Sequence, residues 1–420
     1  MKNFIKNFSV IILAAAIALS PSFSAGRIEG GRVIEIRVED ILIVILGLVW
    51  IINFLISGRK KIEKPPLFFP ILAWLGIGFF SVLTNWIFAN ITFSRGFFFF
   101  LKEIEFFLLY FYLFYHIKTI DSAKFIVRTW IFLGFLNIGW IIYEMITGLK
   151  LTYYYGPTPL IEPEGPLPAG GFFLMIFIFI FNILLYYYLN LKISNFKKGA
   201  LTIATICPAI GVFSSGSRAS FLGFILALIL TFLFYSLKKG FLKSFLIIFF
   251  VLFLISSIFI FSKKPVAERY LNPEDIFWNL NPENPVSRTS IWLSQLSEAS
   301  KHPWFLLFGF GKSAVLAEKI GEESHSQYVR NLIETGIIGL LVFLFLMFII
   351  LKKSWQGFSR GKNPLLIGLS SGLFVATLTL LFISISAEAF IVVKISEVYW
   401  FFTALTMVAL NLNRTKSFYA

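Results

Sequence analysis

Residues 335–353 read TGIIGLLVFLFLMFIILKK, an uncharged run of seventeen residues closed by Lys352 and Lys353. A helix of that length covers about 25 Å, close to the ~30 Å hydrocarbon thickness of a bilayer, and its basic end suits the cytoplasmic rim. The pattern recurs along the chain. Apolar runs at 41–57, 67–84, 97–116, 124–147, 170–189, 199–213, 219–237, 243–261, 364–384 and 395–411 join one near the N-terminus to give twelve predicted spans. None shows the short alternating pattern of a membrane β-barrel strand. The predicted fold is therefore all-α, a polytopic membrane helical bundle with one large, partly helical loop outside the cytoplasm.

Composition agrees. The 420 residues are 58% hydrophobic and 14% charged, with a mean hydropathy of +0.83. A net charge of +15 would suit nucleic acid, but its distribution speaks for membrane topology instead. Lysine and arginine crowd the loops at 59–64, 118–128, 192–198, 238–243, 352–362 and 414–416, where Glu63 and Asp121 are the only acids. Those loops are assigned to the cytoplasm, with both termini. The first apolar segment carries Lys2 and Lys6 and ends near small residues at 21–25, as a signal peptide would; it is read as a retained helix. Three regions result: 1–261 with nine spans, 262–334 as the large outer loop, and 335–420 with three spans. The single cysteine, Cys207, lies in an apolar segment and excludes an intramolecular disulfide.

The loop at 262–334 holds Arg288, His302 and His325. Between spans seven and eight stands Ser214-Ser215-Gly216-Ser217-Arg218-Ala219-Ser220, with Ser217 a helix N-cap and Arg218 in the first turn. Ser287-Arg288-Thr289-Ser290 repeats the arrangement, and Arg288, Trp292 and Leu296 fall on one helical face. Arginine at a helix start opposes the macrodipole, and an anionic ligand would reconcile the two. The plainer readings are a snorkelling arginine at 218 and a solvated helix end at 288. His325 precedes the helix that enters span ten. It is either a general base for a hydroxyl or an ordinary surface histidine. His302, before Pro303, reads as a turn residue, and His116 as interfacial.

Other signals fail. Gly309-Phe310-Gly311-Lys312-Ser313 ends like a phosphate-binding loop, but Leu306 stands where that motif needs glycine. No His, Cys and Asp grouping has zinc spacing. Lys102, Glu103 and Glu105 open span four and read best as an internal ion pair.

Taken in order, Ser215-Gly216-Ser217-Arg218, Arg288, His302-Pro303-Trp304, Gly309-Phe310-Gly311, His325-Ser326-Gln327-Tyr328 and Glu334-Thr335-Gly336 resemble the O-antigen ligase and polymerase family, as does Arg37-Val38-Glu39-Asp40 before the second span. The family usually has Asn after the histidine, where this chain has Ser326. The resemblance implies a GT-C-type glycosyltransferase of the bacterial inner membrane, working at the periplasmic face without metal or other cofactor. The implied donor is a glycan on undecaprenyl pyrophosphate and the implied acceptor a hydroxyl of the lipid A core oligosaccharide. Membrane lipids surround the site, and nucleic acid has no part. Arg218 and Arg288 would hold the pyrophosphate, and His325 would orient or deprotonate the acceptor. Ser217 and Tyr328 would be further substrate contacts. A ligase is expected first, a polymerase of the same family next, and a lipid-linked oligosaccharide flippase as the non-enzyme alternative.

Overall fold

A computed structural model describes residues 7–19, 22–27, 33–56, 64–88, 93–147, 166–188, 194–240, 281–284, 287–301, 303–314 and 323–418. The predicted span 243–261, the first part of the outer loop, residues 151–165 between the fifth and sixth predicted spans, and His302 lie outside them.

Helices α1 (Phe8–Leu19), α2 (Val38–Ile56), α3 (Phe68–Phe88), α4 (Phe93–His116), α5 (Ile120–Thr147), α6 (Pro166–Tyr186), α7 (Asn195–Ser214) and α8 (Arg218–Lys239) form the first part of the bundle. The outer segment contributes α9 (Arg288–Ser300) and α10 (Pro303–Phe308). Helices α11 (Gln327–Arg360), α12 (Pro364–Ile383) and α13 (Val393–Phe418) complete it. Five of these, α6, α8, α11, α12 and α13, are long and apolar enough to cross a membrane. Helices also occupy the other predicted spans among the described residues.

The all-α membrane fold holds, with one small addition that the hydropathy reading passed over. Strands β1 (Ser22–Arg27) and β2 (Val33–Arg37) pair antiparallel, with Ser22 opposite Arg37 and Arg27 opposite Val33. The segment Ile34-Glu35-Ile36-Arg37 alternates in side-chain type, as a hairpin strand does, and was too short to stand out beside the spans. The chain is a helical bundle with a small hairpin leading into α2.

Helix α6 is the centre. From Phe172 to Tyr186 every side chain is buried, which is how a helix that is apolar all round must sit. It packs on α7, α8, α12 and α13. Close approach depends on small residues: a Cβ at Gly171 would lie 2.2 Å from Ile395 Cδ1, and one at Gly223 2.8 Å from Ile383 Cγ2. Buried Asn182 of α6 donates to Thr231 of α8 (3.1 Å) and accepts from Ser371 of α12 (2.8 Å), tying three helices with polar contacts. On the outside, α8 exposes Leu222, Ile225, Ile229, Leu233 and Leu237, while α11 exposes Leu341, Phe345 and Phe348. Continuous apolar faces of this kind suit lipid and not water. The sequence dictates a multi-pass membrane bundle, and the packing bears it out.

Candidate active site

The break between α7 and α8 is a tight serine-lined turn. Gly216 takes φ +67°, and Ser217 caps α8 by accepting from the Ser220 N–H at 3.2 Å. Ser215 Oγ accepts from the Ser217 N–H (3.2 Å) and donates to the Val212 carbonyl (2.7 Å). Ser215, Ser217 and Ser220 are all buried, and a Cβ on Gly170 of α6 would come within 2.7 Å of two of their hydroxyls. The hydroxyl of Ser217 is thus committed to the cap, and Arg218 stands half-buried in the first turn of α8.

The second cap repeats the first. Ser287 accepts from the Ser290 N–H at 3.2 Å, and Arg288 begins α9. Arg288 Nη1 donates to the Ser386 carbonyl at 2.9 Å. Burial holds this guanidinium below its ordinary pKa, and the Arg218 charge lowers it further. The two arginines predicted from separate motifs therefore share one electrostatic environment. One turn along α9, Trp292 Nε1 donates to the Ser324 carbonyl (2.6 Å), and Ser324 Oγ donates to Gln295 Oε1 (2.7 Å). So α9 carries Arg288 at its tip and grips the residue before His325 with its next two turns.

His325 is exposed between buried Ser324 and Ser326, with φ +47°. Left-handed backbone is uncommon for a residue other than glycine and marks a position fixed by its surroundings. Those surroundings are visible: the Gln327 N–H donates to the carbonyls of Ser384 (3.0 Å) and Ala387 (3.2 Å). Arg288 donates to Ser386 of the same turn, so the turn 384–387 after α12 anchors both Arg288 and the His325 segment. Tyr328 turns inward, its hydroxyl donating to the Leu381 carbonyl at 2.7 Å near the end of α12. It braces the start of α11 against that helix.

A buckle that sequence reading missed holds this frame to the bundle. Gly309 (φ +80°) and Gly336 (φ +69°) meet back to back: a Cβ on Gly309 would lie 2.4 Å from Glu334 and Thr335 backbone atoms, and one on Gly336 2.2 Å from the Leu307 carbonyl oxygen. Gly336 kinks α11 below the His325 end. The loop that imitates a phosphate-binding motif wraps its own carboxylate: Gly311 N–H donates to the Glu334 carbonyl (3.0 Å) and Ser313 N–H to Glu334 Oε1 (3.0 Å). Lys312 pairs with Glu103 at 2.5 Å, and Arg330 bridges Glu334 (3.0 Å) and Glu388 (2.5 Å). The signal was present in Gly309-Phe310-Gly311-Lys312 and Glu334, but only folding shows that they are partners. A separate group, Asp40, Glu105 and Glu397, brings three carboxylates together from residues far apart in sequence.

The architecture defines a multi-pass membrane protein whose arginines and histidine gather at one end of the bundle. Residues 203–344 match the family model described as O-antigen ligase, and this supports assigning the chain to the O-antigen ligase/polymerase family. Members of that family are glycosyltransferase-like enzymes. The matched segment contains Arg218, Arg288, His325, Gly309 and Gly336. No curated protein matches the chain.

Proposed function

We propose that this protein is an O-antigen ligase, moving a glycan from undecaprenyl pyrophosphate to a hydroxyl of the lipid A core oligosaccharide with inversion. The observation that carries the proposal is the pair Arg218 and Arg288. Each opens a helix, and their like charges act on one another although the chain separates them by seventy residues. A pyrophosphate would bring negative charge to both guanidinium groups and both helix starts.

In this reading the acceptor oxygen attacks the anomeric carbon while the bond from that carbon to the pyrophosphate oxygen breaks. The acceptor proton passes to His325, and the negative charge on the departing lipid pyrophosphate is borne by Arg218 and Arg288. The rigid hold on Ser324 and on the 384–387 turn would keep the base and the charge clamp in register. Twelve spans with both termini in the cytoplasm would put this end of the bundle at the periplasmic face of the inner membrane.

The same residues would serve a polymerase that extends the lipid-linked chain. Lipopolysaccharide from a deletion strain separates the two on a gel. Loss of a ligase leaves bare core, with polymer retained on the carrier. Core bearing a single repeat unit would assign the polymerase reaction instead, and wild-type lipopolysaccharide would remove both.

A further inference from the structure

Apart from the arginine site, the same end of the bundle buries three carboxylates. Asp40 sits in the first turn of α2, Glu105 in α4 and Glu397 near the start of α13. One oxygen from each lies within 4.8 Å of the other two. Lys102 pairs with Asp40 at 2.5 Å and with Glu105 at 3.1 Å, and the Arg37 N–H also donates to Asp40 (3.0 Å). The neighbouring Lys394 is taken by Glu39, at 2.8 Å. Were all three carboxylates ionised, the one ammonium of Lys102 would leave two negative charges in excess.

The cluster is buried. Glu397 is fully enclosed, and neither of its carboxylate oxygens has a hydrogen-bond partner among the described residues. Asp40 Oδ1 and Glu105 Oε1 likewise have none. Further along the same helices, Trp400 packs edge-on against Phe107 (4.8 Å) and Tyr110 (6.1 Å), giving the cluster an apolar floor. Uncompensated charge in such a place is strongly unfavourable, and buried oxygens of this kind are ordinarily satisfied.

We propose that Asp40, Glu105 and Glu397 form a binding site for one hard divalent cation, Ca²⁺ or Mg²⁺, that knits α2, α4 and α13 together. A single divalent ion balances the excess charge and supplies a partner to all the orphaned oxygens. The spacing suits it: at about 2.0–2.6 Å per bond, two ligands on opposite sides of one ion stand about 4.0–5.2 Å apart. The donor set is all oxygen, which selects Ca²⁺ or Mg²⁺ over softer metals. The ion's role is structural, since the cluster is built from helices other than those that carry Arg218, Arg288 and His325.

The test uses the full chain in lipid nanodiscs, stripped with chelator and then equilibrated with CaCl₂ or MgCl₂ alone. Bound metal is read by elemental analysis, with thermal unfolding in parallel. The expected result is about one ion per chain and a raised Tm, with affinity weakened roughly tenfold or more in Glu397→Gln and in Asp40→Asn. If Glu397→Gln cannot be recovered folded, Asp40→Asn decides on the same readout. No bound ion in the wild type would overturn the proposal and assign two protons to the cluster. Undiminished binding in the recovered variants would overturn it too, by placing the ion elsewhere.

Discussion

Arg288 lies within the electrostatic reach of Arg218, and its guanidinium is held below its ordinary pKa first by burial and then by that neighbouring charge. An arginine stays protonated through the physiological range regardless. Its lowered pKa therefore means that the cation is disfavoured in the folded protein until something negative joins it. An anion bound between the two helix starts, as proposed, would relieve that cost.

The first prediction follows from that strain. Inorganic pyrophosphate should stabilise the wild-type protein against thermal unfolding, by about 2.7 kcal/mol at a hundred times its Kd. Arg218→Ala and Arg288→Ala should lose the effect. Arg288→Lys keeps the charge but not the fork, so it should bind pyrophosphate weakly and transfer glycan about 10-fold to 100-fold more slowly than the wild type. Equal stabilisation of all four proteins would remove the anion site.

His325 is tested through its backbone as well as its ring. Asn tolerates left-handed φ, so His325→Asn should fold and bind donor normally while transferring glycan about 10²–10⁴-fold more slowly. His325→Ala should lose a similar factor in kcat. The check is a steady-state assay with purified protein, in which kcat falls and the donor KM holds. Full activity in the Asn variant would remove the base.

At the buckle, Gly336→Ala and Gly309→Ala each force a Cβ into backbone atoms at positive φ. The left-handed cost and the overlap together should destabilise each variant by about 2–4 kcal/mol. Thermal unfolding measures it. A Tm within a degree of wild type for either variant would contradict the back-to-back packing.

The ion pairs behind the site make a fourth test. Lys312 and Glu103 pair at 2.5 Å with little solvent access, and Lys312 also stands 3.9 Å from Glu334. Lys312→Met strands the Glu103 carboxylate, while Glu334 keeps Arg330, and should cost about 3–5 kcal/mol. Adding Glu103→Gln should restore part of that loss. A double variant no better than the single would show that the pair is not coupled.

The motif residues were legible because their local physics is strong. The two Ser-Arg caps and the helix of α9, with Trp292 on its Arg288 side, depend on neighbours within a few positions, and each took the predicted form. The hairpin β1–β2 was passed over because its strands are short and apolar runs surround them. Lys102 was read correctly as part of an ion pair, but its partners Asp40 and Glu105 lie on two helices, and only one of them is close in sequence.

What the chain by itself determined is the membrane class, the helices, and the identity of the charged residues that break their pattern. Hydropathy and capping act over one helix at a time, so they are written in adjacent residues. The tertiary structure alone decided which residues come together: Arg218 within electrostatic reach of Arg288, Gly309 against Gly336, Lys312 with Glu103, and Asp40 with Glu105 and Glu397. Such pairings depend on helix order and close approach through small residues. In a bundle where nearly every face is apolar, no local rule specifies them.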